Sequence, residues 1–266
     1  MAVGPLGTNS YTVRATASPG RGVIVDPGEE PERLLAQAAQ LSLTLEAILV
    51  THTHFDHIGA VAALATATGA PVYCPAGERP VLVDPMRFTP PGFGPFEGHE
   101  PEHVLEGGEH LHLAGLCIDV LATPGHSPAH LTYAISPAGP ARGDAPERTG
   151  ASGDAAGEAV VSAETGGEPP ALFSGDVLFQ GSVGRVDLPG GDWGVLERSI
   201  ASMIERFPLD SPVYPGHMDP TTLRRELAAN PFLADLARDL VARSSDPSSS
   251  AAPGAPAGTT PSQTPT

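Results

Sequence analysis

Three imidazoles and a carboxylate crowd into seven residues, Thr51-His52-Thr53-His54-Phe55-Asp56-His57. The chain has 10 histidines in 266 residues, so three within six positions, directly after an apolar run, point to a metal rather than to incidental loop polarity. His52 and His54, two apart at a strand end, face the same way and suit one ion. Asp56 and His57, in the turn that follows, suit a second. Three more histidines or acids occupy equivalent places: His126 after Ala122-Thr123-Pro124-Gly125, Asp176 after Ser174-Gly175, and His217 after Pro215-Gly216. Seven such side chains exceed what one zinc takes, which is usually about four ligands. They suit two ions about 3.5–4 Å apart that share a carboxylate and a water.

Each of these residues needs a strand to carry it. Ala47-Ile48-Leu49-Val50 reads as a buried strand before the first cluster, and the Ala-rich stretch 58–68 reads as the helix behind it, stopped by Gly69. Residues 9–14 and 22–26 read as an opening hairpin, and 29–43 as a helix with Pro31 at its start. Further strands are expected at 72–74, 111–113, 116–121, 131–135, 171–175 and 213–215, with an amphipathic helix over 193–207. Two short helices are expected around 220–229 and 232–243. Strand ends on one sheet edge converge, so the seven side chains can meet there. Residues 84–108, rich in Pro and Gly and carrying Phe88, Phe93 and Phe96, read as a long irregular loop. His99, His103, His110 and His112 show no ligand pattern and read as solvated or structural.

Composition sets further bounds. The formal net charge is −17 and all 14 basic residues are arginines, so nucleic acid is a poor expected partner. Cys74 and Cys117 read as small thiols in strands. Without a basic and apolar leader or a spanning run, a soluble cytoplasmic protein is expected, with no membrane partner. Low-complexity composition marks an insertion at about 136–170 and a disordered tail at 244–266, leaving a domain over 1–243.

The stretch 51–57 resembles the HxHxDH signature of the metallo-β-lactamase superfamily, and His126, Asp176 and His217 match its later motifs in order and spacing. Residues 7–11, 25–28, 181–188 and 230–233 make the chain most similar to glyoxalase II-like hydrolases, in a short form without the C-terminal helical domain. The resemblance implies an α/β fold, a four-layer αββα sandwich. It implies that His52, His54 and His126 bind one metal, that Asp56, His57 and His217 bind another, and that Asp176 bridges them. It further implies that Asp56 is the catalytic residue, accepting a hydrogen bond from the bridging hydroxide. The implied cofactors are two divalent ions, zinc first, with iron or manganese as alternatives. The implied reaction is hydrolysis of an anionic small-molecule thioester such as a hydroxyacylglutathione. Arg185 is the leading candidate for binding the substrate, where members of the family often place a basic contact, followed by Tyr133, Arg224 and Arg225.

Competing readings are a mononuclear iron persulfide dioxygenase, which would use His52, His126 and Asp176, a lactonase, an RNA-processing nuclease, and a degenerate binding module. Asp at position 176 disfavours a cysteine-ligand zinc β-lactamase, and His54 disfavours a flavodiiron protein. After His217 the chain departs from many relatives, reading Met218-Asp219-Pro220 where they have Gly and Pro.

Overall fold

The computed structural model describes residues 1–15, 20–138, 158–161 and 168–238. The strands in chain order are β1 (Ala2–Val3), β2 (Thr8–Asn9), β3 (Tyr11–Ala15), β4 (Arg21–Val25), β5 (Thr44–Leu49), β6 (Val72–Pro75), β7 (His103–Leu105), β8 (His110–Leu113), β9 (Leu116–Ala122), β10 (Leu131–Pro137), β11 (Glu158–Val161), β12 (Ala171–Gly175), β13 (Leu178–Phe179), β14 (Ser182–Val183), β15 (Pro212–Pro215) and β16 (Thr221–Thr222). The helices are α1 (Pro31–Gln40), α2 (Phe55–Ile58), α3 (Val61–Thr68), α4 (Arg79–Val83), α5 (Trp193–Arg206) and α6 (Leu223–Ala229).

Two six-stranded sheets form the frame, ordered β11-β3-β4-β5-β6-β7 and β16-β15-β12-β10-β9-β8. The period-2 alternation of the strands decides how they stack. On β3, Tyr11, Val13 and Ala15 face a core shared with Leu131, Tyr133 and Ile135 of β10 and Phe173 of β12. The opposite faces meet helices. Ile24, Ile48 and Val72 pack against Leu34 of α1 and Val61 and Leu64 of α3. Ala134, Leu172 and Val213 pack against Leu196, Ile200 and Met203 of α5. The result is four layers, αββα, as the resemblance implied.

The direction of the strands explains why the motifs meet. β4 and β5 run parallel, so both end at one edge. β10 is antiparallel to β9 and to β12, and β12 is parallel to β15. Hence β9, β12 and β15 all end at a common edge of the second sheet. Asp26, His52, His126, Asp176 and His217 follow those ends in turn.

The expected helix over 58–68 is split in two. Ala60 donates its N–H to Pro27 O at 3.0 Å instead of continuing the turn begun by α2. Gly69 closes α3 in the left-handed conformation, φ 70°, as the sequence suggested. The insertion at 136–170 does separate two paired strands, since Tyr133 sits opposite Phe173. Within it, β11 adds to the edge of the first sheet beside β3; the rest of the insertion to 167 falls largely outside the described residues, as does the tail at 244–266. Of the two helices expected after 220, the first is α6, and the second begins with a 3₁₀ turn at Pro231–Leu233; its expected stretch 239–243 lies outside the described residues. Both cysteines are free; Cys74 is buried and Cys117 only half-buried. No helix among the described residues is long and apolar enough to cross a membrane.

Candidate metal centre

His52 and His54 lie in the extended segment between β5 and α2, and Asp56 and His57 lie in the single turn of α2. The structure brings these four together with His126, Asp176 and His217. Among the described residues three ligand groups form: His52, His54 and His126; Asp56, His57 and His217; and Asp26, His52 and His57.

The hydrogen bonds around the rings fix where their protons sit. Arg185 O can only accept, so His126 Nδ1 donates to it at 2.8 Å and Nε2 is left as a lone pair. The Thr51 hydroxyl donates to Asp26 Oδ2 at 2.7 Å, so it accepts from His52 Nδ1 at 3.1 Å, which leaves His52 Nε2 bare. These two bare nitrogens both approach His54 Nδ1, at 3.1 Å and 2.9 Å. At most one proton can be shared among three converging nitrogens. A cation satisfies all of them.

The other half of the centre shows the same deficit. His57 Nδ1 donates to Asp26 Oδ2 at 3.0 Å, which turns Nε2 toward Asp176 Oδ1 at 3.3 Å and Asp56 Oδ2 at 3.5 Å. His57 Nε2 and Asp176 Oδ1 are buried and have no hydrogen-bond partner, an arrangement that costs free energy unless a positive charge lies between them. His217 Nε2 sits 3.3 Å from Asp56 Oδ2 and 3.5 Å from Asp176 Oδ2. The second Asp176 oxygen also lies 3.6 Å from His126 Nε2. Asp176 therefore faces both ligand groups, as a bridge must. This donor set, imidazole nitrogens and carboxylate oxygens, fits two divalent ions.

Electrostatics divides the centre in the same way. Burial pushes His52, His54 and His126 down, His54 to about 4, with neighbouring imidazoles adding to the shift for His52 and His54. These rings are neutral at pH 7 and offer lone pairs. Burial also opposes charge on His57 and His217, but the carboxylates of Asp176 and Asp56 outweigh it and raise both. Burial favours the neutral carboxyl of Asp56 and of Asp176, yet the adjacent His57 and its neighbours hold Asp56 below the ordinary range and Asp176 at about 2.

Backbone approach at Gly216 is part of this geometry. A Cβ there would lie 2.3 Å from Asp176 Oδ1 and 2.6 Å from His57 Cε1, closer than van der Waals contact allows. Gly216→Ala is expected to displace the bridging carboxylate and lower metal content per chain, checked by elemental analysis of the purified protein. Two bound ions in that variant would show that the close approach is not required.

Residues 3–137 match the family model described as the metallo-beta-lactamase superfamily. The chain belongs to that superfamily. Among curated relatives of this superfamily member, the hydroxyacylglutathione hydrolase GloC of Haemophilus influenzae is 30% identical, the match covering 79% of this chain and 86% of that one. Among solved structures, the B3 metallo-beta-lactamase BLEG-1 is 34% identical with a TM-score of 0.70, covering 88% of this chain and 98% of that one. The di-iron-bound form of TTHA1623 is 33% identical with a TM-score of 0.64 and the same coverage.

The expected substrate-binding residues of this superfamily member do not converge. Tyr133 is fully buried between the sheets and its hydroxyl donates to Val50 O at 2.7 Å. It has no face to offer a substrate, which corrects that expectation; it pins the strand end that leads into the ligands. Arg224 is spent on a two-point pair with Asp210, at 2.7 and 3.0 Å, and Arg225 is exposed on α6. The Arg185 guanidinium forms a two-point pair with Asp187, at 2.7 and 2.8 Å, and is exposed; its carbonyl, not its side chain, touches the centre.

Three supporting residues carried no role in the sequence reading. Asp26 receives Thr51 N at 2.7 Å besides the Thr51 hydroxyl and His57. Thr8 donates to Asp56 Oδ2 at 2.7 Å. His130 accepts the Asp176 N–H at 3.1 Å on Nε2 while its Nδ1 meets Thr123 Oγ1 at 3.1 Å. Their only sequence signal was position: each lies in or beside a motif, at a strand end.

Proposed function

We propose that this chain hydrolyses a thioester of hydroxyacylglutathione type, using two divalent ions held by His52, His54 and His126 on one side and Asp56, His57 and His217 on the other, with Asp176 between them. The observation that carries the two-ion reading is the convergence of histidine nitrogens from two ligand groups on opposite sides of one buried carboxylate, with His57 Nε2 and Asp176 Oδ1 left without a hydrogen-bond partner. A mononuclear oxygenase would need only His52, His126 and Asp176, and would leave His54, Asp56, His57 and His217 without a task. Bound divalent ions supply hydroxide near neutral pH and stabilise negative charge on a reacting carbonyl. Zinc is the expected metal, and the similarity to a di-iron-bound protein makes iron the alternative.

The side chains contribute orientation and proton management. Asp56, held by Thr8 and below its ordinary pKa, stays ionised and accepts the hydrogen of the attacking water. Asp26 and Arg185 O keep His57, His52 and His126 in the tautomer that turns Nε2 inward. A thiol leaving group has a pKa of roughly 8.5, so the thiolate departs without a general acid.

The similarity to the hydroxyacylglutathione hydrolase supports the thioester, and the likeness to a B3 metallo-beta-lactamase makes a β-lactam the second substrate class to test. A panel of hydroxyacylglutathione, lactone and β-lactam substrates, with oxygen uptake on glutathione persulfide, separates the readings. Fastest turnover of the thioester is expected; oxygen consumption, or preference for the β-lactam, would overturn the assignment.

Arg185 is proposed to trade Asp187 for a substrate carboxylate. Because the pair is exposed, Arg185→Ala is expected to raise KM for an anionic thioester by only about 2–5-fold with kcat little changed. An unchanged KM would leave Arg185 as a surface partner of Asp187.

A further inference from the structure

We infer that Glu78 sets the geometry of the His52/His54/His126 site alone, by clamping together the two loops that supply it. Glu78 ends the 3₁₀ turn Ala76–Glu78 after β6 and is 5% exposed, yet it belongs to no ligand group. Its two oxygens are divided between the two sheets. Oε2 accepts from Thr53 N at 2.7 Å and from Thr53 Oγ1 at 3.0 Å. Oε1 accepts from Ser127 Oγ and from Ala129 N, the latter at 3.1 Å. Thr53 lies between His52 and His54, and Ser127 directly follows His126. One carboxylate therefore holds the spacing between the ligands that enter from β5 and the ligand that enters from β9.

The four groups bonded to Glu78 are neutral donors, and together they compensate the burial of its charge. The other site is supported by different groups. Asp56 is held by Thr8 and His57 by Asp26, and neither bonds to Glu78. Asp26 reaches both sites, His57 directly and His52 through Thr51. Glu78 and Asp26 thus predict different patterns of metal loss. The inference rests on the two-ion reading and is independent of the substrate.

Glu78→Gln keeps the shape but puts an NH₂ where two donors already point, so one of the two loops must let go. The test isolates each site. Zinc affinity is measured by chelator competition in a His217→Ala background, which reports the His52/His54/His126 site, and in a His126→Ala background, which reports the other. Adding Glu78→Gln is expected to weaken zinc by about 10–100-fold in the first background and leave the second unchanged, the size typical for partners that orient metal ligands. Equal weakening in both would make Glu78 a general structural support and overturn the inference, as would no change in either. A parent background that binds no zinc at its remaining site would overturn the two-ion assignment and the inference with it. Should circular dichroism show Glu78→Gln to be unfolded, Ser127→Ala, which removes one bond on the His126 side, replaces it: a several-fold loss confined to the first background is expected, and an equal or absent loss overturns the inference.

Discussion

Asp176→Ala is expected to lower turnover by about 10³-fold, the equivalent of roughly 4 kcal/mol of charge stabilisation, and to lower metal content in the same preparation. Three observations give this change its size. Asp176 Oδ1 faces His57, while Oδ2 faces His126 and His217, so alanine removes a carboxylate whose two oxygens lie between the two ligand groups. Neighbouring cationic partners hold Asp176 at about 2 against the effect of burial, so it is ionised at every working pH. Its backbone N–H is anchored on His130, an interaction alanine keeps, which makes a loss of fold a weak explanation for a loss of function. Elemental analysis and turnover, measured together with the thermal midpoint, check this. Full metal occupancy with unchanged turnover would sink the bridging role.

Asp26→Asn carries the second largest expectation. Asp26 is buried and has a positive φ of 49°, a conformation asparagine tolerates well, so the backbone is preserved. The carboxylate receives three donors, Thr51 N on one oxygen, the Thr51 hydroxyl and His57 Nδ1 on the other. An amide NH₂ must confront one of them whichever way it turns. His57 then loses the acceptor that keeps Nε2 free, or Thr51 swings and releases His52. Both sites are expected to lose affinity, by about 10–100-fold each, and the apoprotein to lose roughly 1–3 kcal/mol from the orphaned buried donor. Zinc titration and thermal denaturation of the stripped protein measure the two effects separately. Weakening confined to one site would contradict the shared role given to Asp26.

The side chains that converge on the candidate centre were legible because their pattern is local. Three histidines and an acid in one strand-to-helix connection carry their chemistry on their face, and the Gly-His and Gly-Asp pairs after later strands repeat the pattern. The four-layer architecture came from resemblance, while the alternation of β3 and β10 is what realises it. The supports were hidden for a physical reason: Asp26 and Glu78 find their partners 25 to 51 positions away in the chain, and only the sheet order joins them. Tyr133 was misplaced although the signal existed. Leu131, Tyr133 and Ile135 share one face of a strand by period 2, and that face is the core. Arg185 shows the reverse limit, since what touches His126 is a carbonyl that any residue would supply. The split between α2 and α3 was equally silent, because it depends on a contact with Pro27 across the fold.

If the seven side chains hold two ions and both are needed to cleave a thioester, adding zinc stepwise to the stripped protein raises hydroxyacylglutathione hydrolysis until two equivalents are bound, after which activity levels off. Saturation at one equivalent, or two bound ions with no thioester cleavage, would show that the two-ion thioesterase assignment is wrong.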